Sequence, residues 1–243
     1  MTELVSIFAT PELLANAAAE AFAKAVRESV AAKGSYTVAL AGGSTPRELY
    51  AILANNYKRS IPWNDVHFFW GDERFVSADD ASSNYRMARE ALLDHIEISS
   101  DHIHPIHTDL ATADLAASEL DHQLHKFWNN DLPKFDLVLL GIGADGHTAS
   151  IFPGTPESAN ADVWAIHTIA PNEPHDRISL TLPVINNSSR VYFLIEGLAK
   201  AQVVNRLFND KKTESQTPIP ASKVAAKTEL RYFLDEAALS LCK

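Results

Sequence analysis

Cysteine is almost absent from this chain. Its 243 residues hold one, Cys242, beside the carboxyl terminus. No disulfide framework can form within the chain, which fits a reducing compartment. A residue so near a chain end is also poorly placed to serve as a nucleophile. Long apolar runs are missing as well, and no stretch approaches the ~18 apolar residues of a membrane-spanning helix. The amino terminus, MTELVSIFAT, has an acid where a secretory leader carries basic residues. These absences lead to the expectation of a cytoplasmic protein without a membrane partner. Positive charge is in short supply: 21 Lys and Arg stand against 31 Asp and Glu, a formal net charge of -10. That argues against nucleic acid as a partner. An anionic ligand would need a local cluster of cations and amides, because the global field opposes it. No repeat, low-complexity tract or linker divides residues 1–243, so a single domain is expected, with a monomer as the default state.

What is present reads as alternating strands and helices. LVSIFA (4–9), YTVAL (36–40), VHFFW (66–70), HIHPI (102–106), FDLVLLGIG (135–143), VWAIHTIA (163–170), RISLTL (177–182), VYFLIEG (191–197) and TELRYFL (228–234) are strand-like. Helical spacing follows Thr10-Pro11, Pro46, Asn84, Ala111 and Leu198. The pattern predicts an α/β fold: a Rossmann-like, mostly parallel sheet covered by helices on both faces. TESQTPIPAS (213–222) reads as an active-site rim or a surface loop.

Three loops follow buried strands, and in open α/β sheets such strand ends carry the ligand. GIGADGHTASIFPG (141–154) contains G-x-G-x-x-G, but Pro153, Gly154 and Pro156 leave no room for the long helix a dinucleotide fingerprint opens. No acid ends the next strand either. A catalytic loop carrying Asp145 and His147 is the better reading. ALAGGSTPRELY (39–50) ends a strand in Gly42, Gly43, Ser44 and Thr45 just before a helix, which makes a phosphate cradle of free amides and hydroxyls. No G-K-[ST] is present, so it is not a Walker loop. No G-x-S-x-G surrounds Ser44, which argues against an acyl nucleophile. FFWGDERFV (68–76) places Asp72, Glu73 and Arg74 at a strand end, with Arg74 suited to hold an anion or oxyanion.

LAGGSTPRELY, WGDERFV with SSNYRMAREALL, GIGADGHTASIFPG and RISLTLPVINNSSRVYFLIEGLAKA, in this order, resemble 6-phosphogluconolactonases over roughly residues 5 to 235. The resemblance implies hydrolysis of 6-phospho-D-glucono-1,5-lactone without a metal or other cofactor. It implies His147 as the catalytic histidine and Arg74 as the catalytic-loop arginine. Asp145 or Asp72 would orient the imidazole or the sugar hydroxyls. The phosphate would sit on Gly42, Gly43, Ser44 and Thr45, with Arg177 and Lys200 as counter-charges. For both cations the bland alternative is a solvated surface charge, and for Arg177 the two readings stand nearly even. Ser77 and Asp80 depart from the family, which commonly has proline and histidine there.

The rival on the same fold is a hexosamine-6-phosphate deaminase or isomerase. Those enzymes carry a Glu five residues after the histidine, where this chain has Phe152, and Asp-Glu-Tyr in place of Asp72-Glu73-Arg74. A sugar-phosphate-sensing regulator is disfavoured, because the chain has no spare length for a DNA-binding module. His102, His104, His107, His122 and His125 have a metal-binding composition, yet no H-E-x-x-H or Cys pair organises them.

Overall fold

The computed structural model describes residues 2–155, 162–171, 174–213 and 218–242. Its main sheet has six strands: β1 (Thr2–Phe8), β2 (Tyr36–Leu40), β3 (Val66–Trp70), β5 (Leu137–Leu140), β8 (Arg190–Ile195) and β9 (Glu229–Asp235). They run in the order β1-β9-β8-β5-β2-β3, and every pairing is parallel. All residues of β2 and β5 are buried, as expected of central strands covered on both faces. Between the strands lie α1 (Pro11–Lys33), α2 (Ser44–Asn56), α3 (Asn84–Ala91), α4 (Ala113–Phe127), α5 (Leu182–Asn187) and α6 (Ala201–Thr213). The α1 helix starts where Thr10 accepts the Leu13 N–H and stops at Gly34, whose φ of 80° is left-handed. No helix among the described residues is long and apolar enough to cross a membrane.

A second, three-stranded antiparallel sheet joins β4 (Asp72–Arg74), β6 (Ala165–Ile169) and β7 (Asp176–Leu180) in the order β4-β7-β6. The segments 163–170 and 177–182 were expected as strands, but a separate antiparallel sheet was not. Gly71 links the two sheets: its N–H donates to Leu40 O at 2.8 Å, and its carbonyl accepts from Leu180 N at 2.9 Å.

HIHPI is not a strand. It forms a 3-10 turn at Ser100–His102, one bridge from Ile103 to Phe68, and one hydrogen bond from His104 N to Phe68 O. Pro105 has no N–H to extend the ladder. The α2 helix begins two residues before Pro46, and α3 ends at Ala91 rather than near Asp94.

The topology places the site. From β2 the chain first adds β3 on one side, then crosses to β5 on the other. A crevice opens where the direction of winding reverses, outside the carboxyl ends of β2 and β5. Those ends lead into the Gly42–Thr45 and Gly141–His147 loops.

Candidate active site

A cavity of about 340 Å³, in the size range of small-molecule sites, lies at that crevice. Gly42 and Gly43 line it from the β2 loop, Asp72 and Arg74 from β4, and Gly143 and His147 from the β5 loop. Arg177 of β7 and Lys200, just before α6, complete its cationic wall. The three loops singled out in the sequence therefore meet.

The β5 loop closes on itself: Gly143 N–H donates to His147 O at 2.9 Å, and Gly146 N–H to Gly143 O at 3.0 Å. His147 Nδ1 lies 2.6 Å from Asp145 Oδ1, which also accepts the His147 N–H at 3.1 Å. An ionised carboxylate only accepts, so Nδ1 is the donor of this pair and Nε2 is turned away from Asp145. Asp145 itself is not part of the cavity wall; it supports the imidazole from the side. Phe152 packs against the ring at 4.7 Å between centroids. Behind the loop, Ala221 N–H donates to Gly146 O at 3.0 Å, and the Ile219 side chain presses against Gly146. The described part of segment 213–222 thus buttresses the loop from beneath. Residues 214–217 of that segment lie outside the described residues.

Strand alternation divides the three charges of β4. Asp72 and Arg74 line the cavity, while Glu73 points to the other face and is 2% exposed. Its carboxylate accepts from Arg74 N, Asn84 N, Tyr85 N and Ser83 Oγ, capping α3. Burial raises the Glu73 pKa against the lowering effect of those backbone bonds. Arg74 is braced by a 2.6 Å bond from Nη1 to Ser82 O. It faces Arg177 across the antiparallel pair. Arg177 is 3% exposed, so it is a buried cation on the cavity wall, not a solvated charge. Lys200 is tied through Nζ to Ile142 O at 2.7 Å.

The β2 loop is held by Tyr50 of α2. Its hydroxyl accepts from Ala41 N at 3.0 Å and donates to Ala41 O at 2.9 Å. Burial pushes this phenol's pKa up, so the donor proton stays on. Gly43 caps α2 with a φ of 103° and brings no side chain to the helix's first amides. Ser44 and Thr45 are placed differently from Gly42 and Gly43. Thr45 is buried, and Ser44 lines a neighbouring groove that shares Gly43 and Arg74 with the main cavity.

The sequence reading missed two polar side chains on the cavity wall, Asn84 and Ser150. Asn84 Nδ2 donates to Asp72 O at 2.9 Å, and a side-chain carbon at Gly42 would lie 1.9 Å from Asn84 Oδ1. A helix-starting Asn after a Ser cap carries no signal of this in sequence. His104 and His125 use their rings in packing and polar contacts. His67 Nδ1 and His104 Nε2 are 3.0 Å apart, and His125 stacks on Trp164 at 3.5 Å. Among the described residues no group of three or more His, Cys, Asp or Glu is arranged to hold a metal ion.

Comparison with known proteins identifies the family. Residues 9–232 match the family described as glucosamine-6-phosphate isomerases/6-phosphogluconolactonase. A 6-phosphogluconolactonase of Synechocystis sp. (strain ATCC 27184 / PCC 6803 / Kazusa) is 36% identical over 241 residues, covering 98% of each chain. The 6-phosphogluconolactonase structure from Trypanosoma brucei superposes with a TM-score of 0.86 at 29% identity, covering 100% of this chain and 99% of that one. That of Thermotoga maritima gives 0.83 at 30% identity, covering 97% and 100%. With a family match over most of its length and a relative aligned nearly end to end, the chain belongs to the glucosamine-6-phosphate isomerase/6-phosphogluconolactonase family.

Proposed function

We propose that this chain hydrolyses 6-phospho-D-glucono-1,5-lactone to 6-phospho-D-gluconate, the second step of the oxidative pentose phosphate pathway. The observation that carries the reading is the meeting of His147, Arg74 and Gly43 on one cavity. A water held by His147 Nε2 attacks the C1 carbonyl while the imidazole takes its proton. The bond to Asp145 orients the ring and balances the imidazolium charge. Arg74 stabilises the oxyanion of the tetrahedral intermediate. Collapse breaks the bond from C1 to the ring oxygen, and His147 returns the proton to that oxygen. Asp72 accepts from sugar hydroxyls.

The phosphate rests on the uncapped amides at Gly43 and Ser44, with Arg177 and Lys200 as counter-charges. Guanidinium groups on facing strand positions, as at Arg74 and Arg177, favour an anion beside them. Anchoring the distant phosphate presents C1 to the water, so binding energy supplies orientation. Phe152 fills the place where the deaminases carry their ring-opening Glu, which supports the lactonase over the deaminase.

The test is a coupled assay with freshly generated lactone, corrected for spontaneous opening, run beside ammonia release from glucosamine 6-phosphate. Lactone turnover without ammonia is the expected result. Ammonia without enzymatic lactone turnover would overturn the reading.

A further inference from the structure

We propose that Ser150 is a positioning residue for the Asp72 carboxylate, and that the small antiparallel sheet holds Ser150 in register. The proposal rests on the lactonase reading above. Ser150 Oγ lies 2.5 Å from Asp72 Oδ2, in the range of a charge-assisted O–H···O bond. The hydroxyl has one proton, and a carboxylate can only accept it, so the Ser150 proton is committed to Asp72 Oδ2. The other oxygen, Oδ1, is 3.5 Å from Asn84 Nδ2, a long contact that leaves it open to a substrate hydroxyl.

Ser150 is itself fixed on both sides. Its N–H donates to Ser179 Oγ at 3.2 Å, and its carbonyl accepts from Thr168 Oγ1 at 2.8 Å. Ser179 Oγ donates to Leu180 O at 2.9 Å, so each hydroxyl of this network donates once. Ser150, Thr168 and Ser179 are all buried. The preceding residue, Ala149, has a φ of 47°, a left-handed conformation that costs an alanine energy and persists where neighbours enforce it. Thr168 lies on β6, Ser179 on β7 and Asp72 on β4, so the whole small sheet takes part. Ser150 lies three residues after His147. The bond to Asp72 therefore fixes the group that grips the sugar relative to the group that activates water.

A double-mutant cycle with Ser150→Ala, Asp72→Ala and the pair tests this, with kcat, KM and melting temperature read for each. Ser150→Ala is expected to lower kcat by roughly tenfold or more, with the protein still folded. In the Asp72→Ala background the same change is expected to alter kcat by less than about twofold, because the group it positions is gone. Ser150→Cys keeps the side chain's shape while weakening the donor, and is expected to fall between wild type and Ser150→Ala. Equal losses in both backgrounds would overturn the proposal, as would an unchanged kcat for Ser150→Ala. A wild-type protein that does not turn over the lactone would overturn the functional reading first, and this proposal with it.

Discussion

At the residue scale, the space around His147 is set by a neighbour without a side chain. A Cβ added at Gly143 would lie 2.1 Å from both Nδ1 and Cε1 of the imidazole, and 2.7 Å from Asp145 Oδ1. Gly143 has no left-handed φ, so alanine suits its backbone and the conflict falls on the ring. Gly143→Ala is expected to lower kcat by about 10²-fold, the scale of a 1 Å misplacement of a reacting group. Its circular dichroism spectrum should stay unchanged. His147→Ala sets the benchmark, with an expected loss of about 10²–10⁴-fold. Full activity in Gly143→Ala would mean that the ring position seen here is not the working one. The glycine spacing of G-x-G-x-x-G is visible in sequence, but its purpose is not. Here Gly143 makes room for an imidazole and Gly146 for the Ile219 side chain, not for a pyrophosphate.

At the scale of elements, the edge of the main sheet carries a titrating cluster. His67 of β3 and His104 lie side by side, and His104 stacks on Phe69 at 4.3 Å. Phe127 of α4 meets both imidazoles edge-on. Burial, with neighbouring imidazoles adding repulsion, lowers the His67 pKa and brings His104 down to about 4. The unfolded chain holds these histidines near the ordinary value of about 6.5. Between those two limits the unfolded state therefore binds more protons than the native state. The cluster's contribution is fully present above about pH 6.5 and is lost as pH falls toward 4. His104→Gln is expected to flatten the acid limb of the melting-temperature profile in that window relative to wild type. A parallel acid limb in the variant would sink the idea. HIHPI resembles a strand in sequence because its apolar residues alternate. Neither the spacing nor the composition shows that Pro105 ends the pairing, or that the rings meet each other.

At the scale of the whole molecule, the parallel sheet and the meeting of three loops were legible because both follow from local patterns. Buried strands such as YTVAL and FDLVLL alternate with helices, and glycine-rich segments mark the strand ends. The small sheet was hidden because its central pairing joins the three residues Asp72–Arg74 to Arg177–Ser179, about a hundred positions away. That same pairing puts Arg177, a candidate counter-charge that could equally have been a surface charge, on the cavity wall. The main sheet also separates its tasks: the carboxyl ends of its strands carry the site, and the opposite end carries a clamp. There Asp136, just before β5, accepts from Lys33 Nζ and Thr37 N, both at 2.8 Å, from Thr37 Oγ1 at 3.0 Å, and from Ser29 Oγ at 3.2 Å. One carboxylate thus joins α1, β2 and β5. Asp136→Ala leaves the buried Thr37 N–H without its acceptor and removes the counter-charge of Lys33, at a cost of about 2–4 kcal/mol. For a chain of this size that corresponds to a fall in melting temperature of roughly 5–15 °C. Because the clamp lies at the far end of the strands, kcat/KM per folded molecule is expected to stay within about twofold of wild type. Thermal melts paired with lactone assays below the variant's transition check both halves. A large loss of turnover in a folded Asp136→Ala protein would show that the two ends of the sheet are coupled.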